Sequence, residues 1–419
     1  MMQLVERHMI KKGHSLYKEL DSISFLSKNL YNKANYIIRQ EFIKTSKEKE
    51  RGKREKANWI RYGELQKMMQ DSKDFDYMQL PAKVSQQVLR TLDKSWSSFF
   101  RSIKVWKKGN SGHTGRPKLP KYKDKKNGRN ILTYTIQAIS KKGLKNGIIL
   151  LSKTNVKIKT RKTDIQQVRV VPKIDHYVIE VVYKREIVQA KVDKNKIAGV
   201  DLGVNNLATV TSNQNVSPLL INGRPLKSMN QFYNKERARL QSFVGDKSSN
   251  KLRSLTNKRN RKVDDYLHRA SKEIVTHLIK NEIGTVVIGK NKLWKMESNI
   301  GKKNNQNFIN IPHARLIEMI AYKCELVGIL VIIKEESYTS KCSFIDFEEM
   351  KHHENYMGYR KHRGLFITKD RLKINADCNG SGNIIRKEFP NAFSDGIEGV
   401  VVRPLRVNLQ GHHLYKQAA

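Results

Sequence analysis

The chain has 419 residues and carries 82 lysines and arginines against 39 aspartates and glutamates, a formal net charge of +43 at pH 7. So large an excess of cations repels itself and makes a polyanion the natural partner. The cations also run through segments with clear hydrophobic periodicity, which argues against a ribosomal-type or merely lysine-rich protein. A chain of this length can hold two or three domains, each with its own core.

Cysteine content and hydropathy indicate the compartment. Three cysteines exclude a disulfide framework and fit a reducing environment. The first 14 residues are charged and lack the apolar core of a signal peptide. The longest apolar run, 326–333, is far too short to span a bilayer. We therefore expect a cytoplasmic protein without a membrane partner.

The first half of the chain predicts one strand followed by long helices. Residues 2–10 can form the strand, and apolar residues recur at helical spacing from 16 to about 42. The densely charged stretch 45–56 is typical of a solvated connection. After Pro81 comes the clearest helix of this half, with an apolar stripe that ends at Trp106. The aromatic members of the stripe favour a core role over base stacking, and the flanking cations are candidates for phosphate contacts.

A stretch rich in glycine, proline and lysine, 107–128, predicts a linker or a loop that contacts nucleic acid. Its candidate phosphate contacts are Lys107, Lys108, Arg116, Lys118, Lys121 and Lys123. Short strand-like runs follow between residues 131 and 183, separated by turns. Their spacing predicts a small antiparallel barrel.

The most specific stretch of the second half is 197–210. It predicts a buried strand that ends in Asp201, a glycine-containing turn, and a second strand returning beside the first. An acid at the carboxyl end of a central strand is poorly placed for packing and well placed to hold a metal ion. A third strand is predicted at 219–222, and helices at 228–243 and 252–280.

The second of these helices carries five cations ahead of its apolar stripe, which favours phosphate contact over a merely solvated face. These cations are Arg253, Lys258, Arg259, Arg261 and Lys262. A strand at 285–288, a helix at 312–327, a strand at 329–333 and a final helix near Asn383 complete the set. Three antiparallel strands followed by helix, strand, helix and strand are the element order of the RNase H fold.

Three stretches carry a family resemblance: Ile197 to Val210, Tyr338 to Lys341, and Asn375 to Lys387. They resemble the TnpB family, transposon-encoded RNA-guided nucleases from which type V CRISPR effectors descend. The resemblance implies a multidomain protein of mixed α/β and α+β class, with an N-terminal antiparallel β-barrel called the wedge, an inserted helical recognition lobe, and a C-terminal RuvC-like nuclease domain of RNase H type. The implied bounds are 1–14 and 116–190 for the wedge, 15–115 for the lobe, and 191–419 for the nuclease domain.

The resemblance also assigns carboxylates to a nuclease site. Cleaving a phosphodiester with two metal ions needs about three converging carboxylates, because Mg²⁺ prefers oxygen ligands. Asp201 supplies one, and Asp377, at the start of the last helix, matches the third motif of the family. Family members usually end their fourth strand with glutamate, and this chain has Gly289 there.

Two interpretations of Gly289 remain open. Either the nuclease has been lost, or the acid comes from the end of the next strand, at Glu335 or Glu336. In an RNase H sheet that strand lies beside and parallel to the fourth, roughly 4.8 Å away, so a glutamate at its end could reach the same metal. Because successive strand residues face opposite sides, we expect only one of the two to point inward, and the sequence does not tell which. The alternative is that both are solvated acids.

The zinc-ribbon region departs from the family pattern. Two Cys-x-x-Cys pairs are typical before the final aspartate, and here only Cys342 remains, with Cys378 lying beyond Asp377. Histidines that could replace thiolates lack paired spacing, and Zn²⁺ needs four ligands; they are His352, His353 and His362. We therefore expect a degenerate zinc-ribbon-like insertion at 341–373 without a structural Zn²⁺. Apolar contacts are expected to hold it, around Phe344, Phe347 and Leu365.

The resemblance implies a DNA endonuclease directed by a guide RNA from its own locus, with Mg²⁺ or Mn²⁺ as cofactor. Pairing with the guide would read the target sequence, and the protein would read a short motif beside it in double-stranded DNA. Such a protein would work in a prokaryotic cytoplasm, associated with the nucleoid when bound to DNA. Two alternatives remain: a nuclease-dead RNA-guided DNA-binding repressor, and a CRISPR-associated type V effector.

Overall fold

The structure is a computed structural model that describes residues 1–53, 55–109, 115–245, 247–291, 301–394, 396 and 404–409. The chain divides into two compact units, Met1–Arg185 and Glu186–Ala419. None of the helices in these ranges combines the length and the apolar character that crossing a membrane requires.

The first unit combines helices with antiparallel strands. Its helices are α1 (Tyr17–Glu50), α2 (Tyr62–Asp71), α3 (Phe75–Gln79), α4 (Ala82–Lys107) and α5 (Lys141–Lys145), with a 3₁₀ turn at Ile136–Ala138. Its strands are β1 (Met2–Lys11), β2 (Leu132–Thr135), β3 (Ile148–Leu150), β4 (Lys157–Lys159), β5 (Ile165–Pro172) and β6 (His176–Arg185).

The strands of this unit form an open sheet and a hairpin. Four strands pair in the order β1-β6-β5-β2, all antiparallel, and β3 pairs with β4. The antiparallel pairing is as expected, but among the described residues the sheet does not close into the expected barrel. Within it β1 pairs with β6 and β2 with β5, so two edges remain.

The core between α1 and α4 is aromatic. Trp96 of α4 is fully buried, lies 5.7 Å from the Phe42 ring and stacks at 6.2 Å on Trp59. Its indole N–H donates to Asn35 Oδ1 at 3.0 Å, which satisfies the polar end of the ring. The prediction that this stripe packs in the core is confirmed for Trp96.

Helix α1 is longer than the sequence pattern indicated. The expected connection at 45–56 is wrong for its first six residues, because α1 continues to Glu50. Lysine and glutamate dominate there and both are good helix formers. Thr45 is buried within the extension, where its hydroxyl donates to Glu41 O at 2.9 Å and accepts from the Asn58 N–H at 2.9 Å.

The second unit is built on a mixed sheet. Its strands are β7 (Asp193–Asp201), β8 (Asn206–Ser212), β9 (Leu219–Asn222), β10 (Ile283–Gly289), β11 (Leu330–Lys334), β12 (Tyr359–His362), β13 (Leu365–Ile367), β14 (Lys373–Asn375) and β15 (Leu405–Val407). Its helices are α6 (Arg224–Val244), α7 (Asn250–Lys280), α8 (Lys302–Ile309), α9 (His313–Glu325) and α10 (Ala376–Glu388).

The main sheet has the order β11-β10-β7-β8-β9-β15. Strands β7, β8 and β9 form an antiparallel meander, while β10 runs parallel to both β7 and β11. The expected place of β11, beside and parallel to β10, is confirmed. Helices α7 and α9 share one apolar core with the sheet, and α10 shares a second core with it. The edge strand β15, parallel to β9, was not expected from the sequence.

The segment between β11 and α10 contains the small antiparallel sheet β12-β13-β14. Phe344 is buried there and packs on Phe393 at 4.9 Å, as expected for an apolar contact. The same expectation is wrong for Phe347, which is 48% exposed and lies against the Arg386 guanidinium. Leu365 is half-buried.

Candidate active site

The parallel strands β7, β10 and β11 end at the same edge of the sheet. Register pairs Val200 with Ile288 and Gly289 with Lys334, so Asp201, Gly289 and the residues after β11 are neighbours. Helix α10 begins at the same edge. The topology therefore collects the acids that the sequence singled out, although they lie far apart along the chain.

Asp201 is the half-buried acid at the end of β7. Burial raises the pKa of its carboxyl well above the ordinary range, and the nearby Asp377 and Glu336 carboxylates raise it further. Helix α10 approaches it through Gly380, where an added Cβ would lie 2.9 Å from Asp201 Oδ2. A larger residue at that position would crowd the carboxylate.

Asp377 lies in the first turn of α10. The Asn375 side chain caps the helix by accepting from the N–H groups of Asp377 and Cys378 at 2.9 and 3.2 Å. Asn206 Nδ2 donates to one Asp377 oxygen at 2.8 Å, and the Arg360 guanidinium donates to the other at 3.1 Å. Both oxygens of this carboxylate are thus engaged.

The two hydrogen-bond partners of the Asp377 carboxylate, Asn206 and Arg360, were not identified from the sequence. Arg406, which contacts Asn206, was not identified either. Arg360 comes from β12, and Arg406 of β15 donates to Asn206 Oδ1 at 3.2 Å, which orients the Asn206 amide toward Asp377. The only sequence signal was the position of Asn206 inside the stretch 197–210. Nothing local marks Arg360 or Arg406, since both come from strands distant along the chain.

Glu335 and Glu336 have opposite environments. Glu335 is 51% exposed, pairs with Lys387 Nζ at 2.8 Å and accepts from the Ser337 hydroxyl at 2.7 Å, and the Lys387 and Ser337 hydrogen bonds lower its pKa. Glu336 lies over Gly289, at a place where any side chain on that glycine would collide with Glu336 Oε2. Of the two, Glu336 is the one beside Asp201.

The environment of the Glu336 carboxylate disfavours its charged form. Its Oε2 atom is buried without a hydrogen-bond partner, and Oε1 receives only a long 3.4 Å contact from Asn291 Nδ2. Burial first, and then the Glu335 charge, raise the pKa of Glu336 from its ordinary 4.5 to about 7. Asn291 Oδ1 also accepts the Glu336 N–H at 3.0 Å, which fixes the backbone at this point.

The donor chemistry fits a hard divalent cation. Asp201, Glu336 and Asp377 offer oxygen ligands, one oxygen has no partner, and the charges repel each other. In the ranges that the structure describes, no three His, Cys, Asp or Glu side chains already lie close enough to hold one metal ion. Arg360 and Asn206 occupy the Asp377 oxygens in this arrangement.

The cysteines and histidines of the insertion make internal contacts. Cys324, Cys342 and Cys378 are free and buried, and Cys342 Sγ donates to Glu349 O at 3.3 Å. His353 Nε2 lies 2.7 Å from the same carbonyl. His352 packs edge-on against Tyr338, and His362 Nδ1 lies 3.3 Å from Arg363 O.

Asparagines of α10 fasten the segment after β11. Asn379 accepts from the Phe344 N–H at 2.8 Å and donates to Cys342 O at 2.9 Å. Asn383 donates to Thr339 O at 2.9 Å and to Cys342 O at 2.8 Å. Both amides are fully buried, so their hydrogen bonds hold the chain next to Glu336 in place.

The cations predicted to bind nucleic acid lie in both units. In the first, the exposed ones are Lys107, Lys108, Arg116, Lys118, Lys121 and Lys123, at the end of α4 and in the segment after it. In the second, α7 exposes Arg253, Lys258, Arg261 and Lys262. These side chains are exposed to solvent.

Arg259 of α7 has an internal role. Its guanidinium donates to Asn230 Oδ1 of α6 at 2.8 Å and to Asn310 O at 2.6 Å, just after α8. It is half-buried and ties three helices of the second unit together. We therefore separate Arg259 from the exposed cations of the same helix.

Two family models and one curated protein are similar to this chain. The family model described as "Probable transposase" (OrfB_IS605) matches residues 176–295, and the model "Cas12f1-like, TNB domain" matches 313–384. The TnpB-like protein ORF457 of Acidianus two-tailed virus is 25% identical over 415 residues, which is 88% of this chain and 83% of that protein.

A solved structure is similar in fold. It is the cryo-EM structure of the Cas12f1–sgRNA–target DNA complex, which matches 87% of this chain and 82% of its own at a TM-score of 0.50 and 19% identity. At that identity the likeness concerns the fold alone. Asp201 and Gly289 fall in the region matched by the transposase model, and Glu336 and Asp377 fall in the region matched by the TNB model. Together with the viral relative, these matches show that the chain is similar to TnpB-like proteins over most of its length.

Proposed function

We propose that this protein is an RNA-guided DNA endonuclease of the TnpB type, which cuts its target by metal-dependent phosphodiester hydrolysis. The observation that carries the proposal is the half-buried group of acids, Asp201, Glu336 and Asp377, at one edge of the sheet. The Asp377 and Glu336 charges raise the pKa of Asp201, and a divalent cation is the counter-charge that offsets this repulsion.

Asp201, Glu336 and Asp377 would hold the metal, Mg²⁺ or Mn²⁺, with Glu336 in the role of the acid that relatives carry at the position of Gly289. When bound, two such ions activate the attacking water and stabilise charge on the phosphate. Asn206 orients Asp377 through its 2.8 Å hydrogen bond. Arg360 keeps a cation beside the acids, which suits the approach of an anionic phosphodiester.

The nucleic-acid partners follow from charge. A net charge of +43 and exposed lysines in both units support binding of a polyanion. The similar solved structure is named as a complex with sgRNA and target DNA. We infer that a guide RNA from the protein's own locus reads the target by base pairing, while the protein reads a short motif beside it.

The test is cleavage of a DNA duplex that matches RNA from the protein's own locus, in Mg²⁺, by the unaltered protein, Asp201→Ala and Asp377→Ala. Both variants should bind the target and fail to cut, because removing a metal carboxylate leaves the phosphate contacts intact. Asp370→Ala, which removes an exposed acid of the same unit, is the matched control and should cut normally.

Two outcomes contradict the proposal. An unaltered protein that binds RNA and target but never cuts in Mg²⁺ or Mn²⁺ is a guided repressor. A protein that purifies free of RNA and protects none from nuclease digestion is not RNA-guided.

A further inference from the structure

In the first unit, residues 117–126 lie along α1 as a segment without helix or strand structure, which we call the strap. Five side chains of α1 donate hydrogen bonds to four strap carbonyls, and the strap runs overall antiparallel to the helix. These contacts are Arg39 and Asn35 to Pro120 O, the latter at 3.1 Å, Tyr31 to Lys121 O at 3.4 Å, Asn32 to Lys123 O at 2.9 Å, and Lys28 to Lys125 O at 2.8 Å.

Asn32 forms two hydrogen bonds with the backbone of one strap residue, Lys123. Its Nδ2 donates to Lys123 O, and its Oδ1 accepts the Lys123 N–H at 2.8 Å. These hydrogen bonds use the strap's backbone, so they leave the ammonium groups of its lysines unoccupied. From Lys28 to Asn35 the helix rises about 10 Å, which sets the length over which the strap is fixed.

The strap is strongly cationic. Its lysines are exposed, and within the described residues none of them forms an ion pair with a carboxylate; they are Lys118, Lys121, Lys123, Lys125 and Lys126. The one acid, Asp124, is also exposed, and its side chain accepts the N–H groups of Lys126 and Asn127 at 3.1 and 2.6 Å. Five positive charges therefore face solvent against one engaged negative charge.

An aromatic ring accompanies the cations. Tyr122 is 42% exposed, and the Arg39 guanidinium of α1 lies 4.6 Å from its ring centre. Lys123 Nζ lies 5.3 Å from the ring centre of Tyr31. Rings interleaved with lysines suit a nucleic acid strand, since phosphates meet the cations and a base can stack on the exposed ring.

We propose that the strap is a preformed contact for the sugar–phosphate backbone of one nucleic acid strand. Its fixed length of about 10 Å equals the axial rise of about three nucleotides at 3.4 Å each. Because α1 already holds the backbone, the strap loses little conformational entropy on binding. The choice of a nucleic acid rests on the proposed function, whereas the contact itself does not depend on cleavage.

The test measures how affinity depends on salt, between about 50 and 200 mM KCl, for two probes of about 20 nucleotides or base pairs, a single-stranded RNA and a DNA duplex. Lys121→Gln with Lys123→Gln should lower the slope of log affinity against log salt by about 1.4 to 1.8, because two phosphate contacts are lost. Lys141→Gln with Lys142→Gln, on exposed lysines of α5, removes the same charge and should leave the slope unchanged.

A third variant distinguishes the effect of the strap's lysine charges from the effect of its fixed backbone. Asn32→Ala keeps every strap lysine and removes both hydrogen bonds to Lys123, so the slope should stay the same while affinity falls roughly threefold to tenfold. Melting curves of all variants check that the fold is retained.

An effect in the RNA arm assigns the strap to the guide, and an effect in the DNA arm assigns it to the target. An unchanged slope in both arms for Lys121→Gln with Lys123→Gln overturns the strap proposal and leaves the proposed function intact. Polyglutamate that competes as well as nucleic acid also overturns it. If the unaltered protein binds neither probe, the strap and the proposed function fall together.

Discussion

The strap and the group formed by Asp201, Glu336 and Asp377, which we call the acidic pocket, both gather like charges, and they do so in opposite ways. The strap exposes five lysines to water while neighbouring groups hold only its backbone. The pocket places Asp201 and Glu336 in a half-buried site, where the Glu336 charge raises the pKa of Asp201 and Glu336 Oε2 has no hydrogen-bond partner. One cluster is solvated, and the other is shielded.

The difference predicts what each cluster responds to. Salt screens exposed charges over about 10 Å at 0.1 M, so the strap costs the fold little and its binding should follow ionic strength. Shielded charges repel strongly and respond to protons and to divalent cations. We therefore expect the strap to bind its ligand without rearrangement, and the acids of the pocket to take up protons or a divalent cation.

The largest expected effect is the loss of cleavage when a pocket carboxylate is removed. Glu336→Gln should lower cleavage by about a hundredfold or more, because an amide keeps the shape and loses the charge that a metal ion needs. Glu335→Gln is the matched control, since that side chain is paired with Lys387 outside the pocket, and its cleavage should stay within about threefold. The measurement is single-turnover cleavage of guided target in Mg²⁺.

Placing a glutamate at position 289, in exchange for Glu336, tests the same hypothesis more strictly. A Cβ at Gly289 would lie too close to Glu336 Oε2 and 2.6 Å from Ile384 Cδ1, so Gly289→Glu requires both side chains to shift, and Glu336→Ala removes the first of these contacts. Gly289→Glu with Glu336→Ala should therefore recover cleavage that Glu336→Ala alone lacks. If Glu336→Gln and Glu335→Gln both cut normally, the relocated acid is the wrong explanation of Gly289.

A smaller effect is expected at the partner of Asp377. Asn206→Ala removes the 2.8 Å hydrogen bond to Asp377 and should raise the Mg²⁺ concentration for half-maximal cleavage about tenfold, as outer partners of metal ligands do. Asn195→Ala, at an exposed position of β7, is the control. The rate at saturating Mg²⁺ should stay close to normal. An unchanged Mg²⁺ midpoint would show that Asn206 has no orienting role.

The smallest effect concerns stability without metal. Folding raises the pKa of Glu336 from 4.5 to about 7, so the protonated group favours the folded state below pH 4.5 and this contribution is lost as pH rises through about 7. In EDTA, Glu336→Gln should melt roughly 3–8 °C above the unaltered protein at pH 8 and close to it at pH 5. Strap variants such as Lys121→Gln should show no such pH trend. A constant gap across this range would contradict the shift.

From the sequence alone, Asp201 and Asp377 could be proposed for the candidate site, while the choice between Glu335 and Glu336 stayed open. Asp201 and Asp377 each terminate or begin an element inside a recognisable stretch, so local pattern was enough. Strand alternation could not choose between Glu335 and Glu336, because β11 ends at Lys334 and both residues lie beyond it. The choice depends on Asn291, whose side chain fixes the Glu336 backbone from another strand's end.

Long-range pairing explains most of what the sequence could not give. Arg406 reaches Asn206 across 200 residues, and Asn32 reaches Lys123 across 91, so neither contact leaves a local signature. The open sheet of the first unit has the same cause, since short strand signals predict strands and turns but not whether the edges meet. The missed end of α1 is different, because helix propensity at 45–50 was visible and was outweighed by charge.

The buried cysteines have a practical consequence for chemical labelling. Burial raises the pKa of all three thiols, that of Cys324 to about 12, and the thiolate is the reactive form toward maleimides. The folded chain should therefore leave its native cysteines unmodified without their removal. One cysteine introduced at the exposed strap position Lys126 would carry a single fluorophore, placed to report on whatever approaches the strap.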